Sequence, residues 1–240
     1  MKVAIVPARG GSQRIPRKNI KKFLGKPIIA YSIEVALRTG LFNRVIVSTD
    51  DREIADVAVA YGAEVPFLRP AILADSFTGT SAVVKHAIEW LNASGPAVEY
   101  ACCVYATAPF LQQSYLKEGY ERLRQSGRMY AFSVTSFPFP IQRAIRISSN
   151  GGVEPMFPDS IMMRSQDLEE AYHDAGQFYW GRAEAFLKEV ATFSQVSLPI
   201  VLPRHLVQDI DTPEDWANAE LMFQSLHATS HGNHESSIPD

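Results

Sequence analysis

The chain has 240 residues, of which 46% are hydrophobic and 20% charged, a globular composition with enough length to bury a sizeable core in a single α/β domain. A formal net charge of -3 argues against a general nucleic-acid binder, and the basic residues gather between Arg9 and Lys26 instead of covering a whole face. No charged and apolar leader precedes Val3 and no apolar stretch nears the roughly 18 residues of a membrane helix, so neither export nor membrane insertion is expected, and the cytoplasm is the expected compartment.

The first apolar run, residues 3–6, has the character of a strand buried on both faces of a parallel sheet. It feeds the loop Ala8-Arg9-Gly10-Gly11-Ser12, which continues through Arg14, Arg17, Lys18 and Asn19. Glycine lets backbone N–H groups approach phosphate oxygens and the four cations supply counter-charge, so the loop reads as a triphosphate cradle. No Gly-Lys-Ser/Thr follows, and no glycine stands three places after Gly11, so neither the Walker loop nor the dinucleotide fingerprint is present. That absence disfavours a nicotinamide dehydrogenase.

Pro27 opens a helix whose apolar positions Ile28, Ile29, Ile33, Ala36 and Leu37 keep the helical period up to Gly40. Strand 45–48, helix 51–61 stopped by Gly62, and strand 63–67 continue a βαβ rhythm. Thr78 or Thr80 caps a helix to about residue 92, strand 100–105 carries Cys102 and Cys103 on opposite faces, and Ser114 caps a helix to residue 125. This alternation predicts a doubly wound, mainly parallel sheet with its ligand at the carboxyl ends of the strands. The cradle, Asp50 and Ala106-Thr107-Ala108-Pro109 converge there.

Residues 131–136 and 143–147 are strand-like, with Asn150-Gly151-Gly152 as a hairpin turn. Residues 178–180 resume the sheet, 182–189 form a helix and 199–202 a strand. Thr212-Pro213-Glu214-Asp215 then starts a last helix with a cap, a first-turn proline and acidic dipole partners. The His/Ser/Asn-rich segment 227–240 is expected to be a disordered tail, which leaves residues 1–226 as the domain.

Asp209 and Asp211 stand two apart on an extended segment and project the same way, offering the one or two carboxylates that Mg²⁺ takes alongside phosphate oxygens. Asp211 serves equally as a dipole partner ahead of Thr212. Arg9 and Lys18 are the candidates for phosphate contact, the guanidinium as a bidentate clamp and the ammonium as a point charge for a leaving pyrophosphate.

These features, with Ser48-Thr49-Asp50, Leu68-Arg69-Pro70-Ala71 and Asp209-Ile210-Asp211-Thr212, resemble the CMP-sialic acid synthetase family, the cytidylyltransferases that activate nine-carbon acidic sugars. The resemblance runs from about residue 2 to residue 223. Ala108-Pro109-Phe110, residues 137–143 and the run from Tyr172 to Gly181 are most similar to its pseudaminic acid branch. It implies a nucleotide-diphospho-sugar transferase-like, Rossmann-like α/β fold, with residues 137–170 as an arm exchanged within a homodimer. It further implies transfer of CMP from CTP to the anomeric hydroxyl of a nonulosonic acid such as pseudaminic acid, for glycosylation of flagellin or surface polysaccharide. Arg9, Lys18, Asp209 and Asp211 would be catalytic, with Mg²⁺ on the two aspartates.

By the same resemblance the nucleotide meets Ala8, Arg9, Gly10, Gly11, Ser12 and Lys18, while Asn19, Arg69, Thr78 and Thr80 surround the cytidine. Thr80 also suits a plain helix cap. Tyr105 and Thr107 stand where the sialic acid enzymes carry Gln and Thr, and Tyr172, His173, Asp174, Gln177, Phe178 and Tyr179 offer an aromatic and polar wall, together suited to a less hydroxylated sugar. N-acetylneuraminic, legionaminic and ketodeoxyoctonic acids remain alternatives. So does a regulatory nucleotide-binding module without turnover, against which the intact Asp209/Asp211 and Arg9/Lys18 pairs speak.

Overall fold

The computed structural model describes residues 1–75 and 78–231. Strand β1 (Lys2–Pro7) sends Ala4 and Val6 into one apolar layer and Val3 and Ile5 into another, all wholly buried, which explains its apolar run without alternation. A two-stranded ribbon, β2 (Lys22–Phe23) with β3 (Lys26–Pro27), leads into α1 (Ile28–Arg38). There follow β4 (Arg44–Ser48), α2 (Arg52–Ala60), α3 (Thr80–Ser94), β5 (Tyr100–Val104), α4 (Gln113–Gln125) and β6 (Tyr130–Ser136). A separate hairpin, β7 (Ile145–Ile147) and β8 (Val153–Pro155), precedes β9 (Tyr172–Arg182), α5 (Ala183–Leu187), β10 (Ser197–Val201) and α6 (Pro213–His231).

The main sheet has the order β10-β6-β9-β5-β1-β4. Its β1/β4, β1/β5 and β6/β10 pairs are parallel, and β9 runs antiparallel to both β5 and β6. Helices α1, α2 and α4 pack on one face and α3 and α5 on the other, so the sheet is doubly wound and mainly parallel. A third apolar cluster joins Ile15 and Phe23 to Ile210 and Trp216, tying the loop after β1 to the start of α6. Phe23 meets Trp216 edge-on at 5.6 Å between ring centroids.

Several local expectations change. Residues 63–67 form no strand, only the isolated bridges Ile46↔Glu64 and Thr49↔Leu68, because Pro66 has no N–H to give a ladder. Gly79 occupies the N-cap of α3 and Gln112 that of α4, neither with a side-chain cap, so Thr78, Thr80 and Ser114 do not cap. Helix α5 is shorter than 182–189. Helix α6 continues past residue 227 to His231; the rest of the expected tail, 232–240, lies outside the described residues. Among the described residues no helix is long and apolar enough to cross a membrane.

Candidate active site

The carboxyl ends of β1 and β5 open into a cleft of about 480 Å³, with Arg69, bonded to Ser48 at the end of β4, on its wall. The loop after β1 is built from contacts to β4. Buried Ala8 donates its N–H to the Ser48 carbonyl at 3.0 Å, and Gly10 donates to Asp50 Oδ1 at 3.0 Å. A Cβ on Gly10 would stand 2.8 Å from Asp51 Oδ2, so this position takes only glycine without displacing that carboxylate. Ser12 closes the turn by donating its N–H to the Gly10 carbonyl at 3.0 Å. The N–H groups of Ala8, Gly10 and Ser12 are therefore satisfied within the protein. The cleft instead presents the side chains of Arg9, Ser12 and Lys18, and Gly11 stands exposed on the loop.

Arg17 is placed differently from its three basic companions. Its backbone is left-handed at φ 54, and its guanidinium donates to Asp51 and Glu53. The hydrogen bond from Arg17, more than any other influence, holds the Asp51 carboxyl down at about 2. Asp51 also caps α2 by accepting from the Ile54 N–H at 3.0 Å. Arg17 thus fastens the loop to α2 and supplies no charge to the cleft.

Lys18 and Arg14 meet the other end of the chain. Lys18 Nζ donates to the Ile210 carbonyl at 2.7 Å and to Asp211 Oδ1 at 3.2 Å, while Arg14 Nη2 stands 2.7 Å from Asp211 Oδ2. Buried Ile210 holds the aspartate segment against the third apolar cluster. Thr212 and Asp215 then form a capping box: Thr212 Oγ1 accepts from the Asp215 N–H at 3.2 Å, and Asp215 Oδ2 accepts from the Thr212 N–H at 2.8 Å. Asp211 lines the main cleft, and Asp209 lines an adjoining hollow beside His173, Asp174 and Gln208. Asp209 reaches solvent at its surface, yet lost hydration within the concave site, then the nearby Asp211 charge, raise its carboxyl.

The two carboxylates, expected to project into one site, line neighbouring hollows instead, and the charge of Asp211 still reaches Asp209; carboxylate oxygens of this kind are the donors that Mg²⁺ takes beside phosphate. Among the described residues no group of three or more His, Cys, Asp or Glu is placed to hold a metal. Around the cleft, Asn19 Nδ2 donates to the Arg9 carbonyl at 2.9 Å and Arg9 Nη1 to the Asp75 carbonyl at 2.8 Å. Arg69 is buried, donates through Nε to Ser48 Oγ at 3.2 Å, and has its pKa lowered by that burial. Thr78 donates through its N–H to Asp75 Oδ1 at 2.6 Å, and Thr80, the first residue of α3, faces the cleft.

On the acceptor side the structure separates the expected wall. Tyr105 and Thr107 line the cleft, and Tyr105 also borders the His173 hollow and a second one of about 220 Å³. His173 lies edge-on to Phe137 at 4.8 Å. Tyr179 stacks on Phe132 and donates its hydroxyl to Asp174. Phe178, in contrast, is wholly buried on the opposite face of β9, in the core with Val104 and Trp180, and Gln177 is buried with its amide donating to the Leu206 carbonyl. Neither lines the cleft or the two hollows beside it: Phe178 faces away because side chains alternate across the strand, and Gln177 is drawn away by its bond to Leu206. Of the expected cluster from Tyr172 to Tyr179, Asp174 lines both hollows beside the cleft. Its position depends on an irregularity in the β6/β9 register and on Gly176 at φ 61, whose N–H it accepts at 2.9 Å, and no local sequence signal reports either.

Residues 3–215 match the model of a family described as cytidylyltransferase. The chain is 46% identical to a pseudaminic acid cytidylyltransferase of Campylobacter jejuni, over 95% of this chain and 98% of that one. It is 32% identical to a CMP-N,N'-diacetyllegionaminic acid synthase of Legionella pneumophila, over 92% and 96%. A solved structure of CMP:2-keto-3-deoxy-manno-octonic acid synthetase complexed with CTP shares the fold, with a TM-score of 0.69 at 14% identity over 94% of this chain and 99% of that one. With its doubly wound sheet and basic cleft, and by match and identity over nearly its whole described length, the chain belongs to the cytidylyltransferase family of CTP-using nucleotidyltransferases.

Proposed function

We propose that this enzyme transfers CMP from CTP to the anomeric hydroxyl of pseudaminic acid, giving the CMP-sugar and pyrophosphate, in the cytoplasm. The observation that carries the transfer chemistry is the convergence of Arg9, Lys18 and Asp211 on one cleft at the carboxyl ends of the sheet. The sugar rests on the 46% identity to a pseudaminic acid cytidylyltransferase.

In this reading Arg9 orients the triphosphate and Lys18 meets charge developing on the leaving pyrophosphate as the sugar hydroxyl attacks the α-phosphorus in line. Asp209 and Asp211 would hold Mg²⁺, which when bound neutralises phosphate charge and acts as a Lewis acid. Arg69, Asn19, Thr78 and Thr80 would surround the cytidine, and Tyr105, Thr107, His173 and Asp174 the sugar. A second copy of the chain would cover the exposed apolar hairpin β7/β8, making the working form a homodimer.

The test incubates purified protein with CTP, Mg²⁺ and a panel of nonulosonic acids, reading pyrophosphate release and product mass. Pseudaminic acid is expected to be preferred over N-acetylneuraminic acid by at least about tenfold in kcat/KM, the scale of one mispaired buried polar group. The reverse preference would overturn the sugar and leave cytidylyl transfer standing. Pyrophosphate release with none of the acids would overturn the acceptor class.

A further inference from the structure

Both carboxylate oxygens of Asp211 already carry a cation. Oδ1 is 3.2 Å from Lys18 Nζ and Oδ2 is 2.7 Å from Arg14 Nη2. The two cations differ in how they are held. Lys18 is partly enclosed and also bonded to the Ile210 carbonyl, whereas Arg14 is 66% exposed and, among the described residues, has Asp211 as its one ion-pair partner. Arg14 also lines the main cleft, so a triphosphate there lies within its field.

From this geometry we infer that Arg14 is a removable stand-in for the divalent cation, occupying Asp211 Oδ2 until a triphosphate draws the guanidinium away. The inference rests on the reading of Asp211 as a metal ligand. A dication approaching the nucleotide-free protein must displace an ion pair and face repulsion from a guanidinium a few ångströms away. An exposed ion pair is weak, and a polyphosphate offers the guanidinium more charge and bidentate geometry, so nucleotide binding wins the competition and frees Oδ2. Metal and nucleotide affinities are then coupled through Arg14, and the coupling is reciprocal. Arg14 is a positioning residue that keeps the carboxylates from loading metal ahead of substrate.

The experiment measures Mn²⁺ binding to the intact protein, by electron paramagnetic resonance of the free ion and by calorimetry, with and without CTP and with no sugar. Arg14→Gln is expected to tighten Mn²⁺ about tenfold in the absence of CTP, the size of removing one nearby charge from a dication site. Arg14→Lys, which keeps the cation, and Lys22→Gln, which removes an exposed charge elsewhere, should stay near wild type. Asp211→Asn should lose the site in every background. Equal Mn²⁺ affinity in wild type and Arg14→Gln, while Asp211→Asn weakens binding, overturns the inference and leaves the metal reading intact. Tightening by Lys22→Gln as large as by Arg14→Gln also overturns it, since general electrostatics would then account for the effect. Unchanged Mn²⁺ binding in Asp211→Asn with and without CTP overturns the metal reading, and the inference with it.

Discussion

Lys18 is held by the Ile210 carbonyl and Asp211, so its ammonium is already placed when substrate arrives. A preorganised charge of this kind acts on the transition state. Lys18→Met is expected to lower kcat on the order of a hundredfold with little change in CTP affinity, as steady-state kinetics and nucleotide titration would show. A raised KM at unchanged kcat would make Lys18 a uniform binding residue. Arg17, from the same basic run, does structural work instead. Its partner Asp51 has a folded-state pKa of about 2 against an ordinary 3.8, so the stabilisation is complete above 3.8 and is lost as pH falls through about 2. Because Arg17 is 38% exposed, solvent screening limits the pair to on the order of 1 kcal/mol. Arg17→Ala should therefore lower Tm at neutral pH and converge with wild type near pH 2, and parallel melting curves across that range would contradict the linkage.

At the scale of elements, segments whose instructions are local were legible in the sequence. The βαβ opening, the apolar period of α1 and the Thr212-Pro213-Glu214-Asp215 helix start all formed. What depended on neighbours was not legible. The antiparallel course of β9 follows from its pairing with β5 and β6, and that pairing buries Phe178 and turns Asp174 outward. The Arg14–Asp211 contact joins opposite ends of the chain, beyond any motif. The capping box gives the α6 start a measurable role, since it fixes the residues just after Asp211. Thr212→Ala should cost about 1 kcal/mol in denaturant unfolding, the usual value of a lost cap. An unchanged midpoint would assign the helix entry to the Ile210 and Trp216 packing alone.

Across the whole molecule the sheet closes its two apolar layers, yet the hairpin arm leaves large apolar side chains in water. Ile147 is 79% exposed and Met162 90%, with Phe139, Val153 and Met156 also exposed on the same arm. Polar contacts hold the arm's own shape: Arg146 pairs with Glu154 across the hairpin at 2.9 Å, and Arg143 Nη2 donates to the Met163 carbonyl at 2.6 Å. An isolated two-stranded hairpin is marginal in water, and an apolar surface grouped this way on a single arm suits cover by another chain. A second copy is the occupant proposed here. Wild-type protein should sediment as a dimer at micromolar concentration. Ile147→Glu combined with Met162→Glu should shift it to monomer, because each charge would have to be buried unpaired in the interface. The double variant should keep its helical circular dichroism, since neither side chain contributes to the three buried clusters. Wild-type protein that sediments as a monomer throughout, or a double variant that dimerises as tightly as wild type, would remove the arm from the interface.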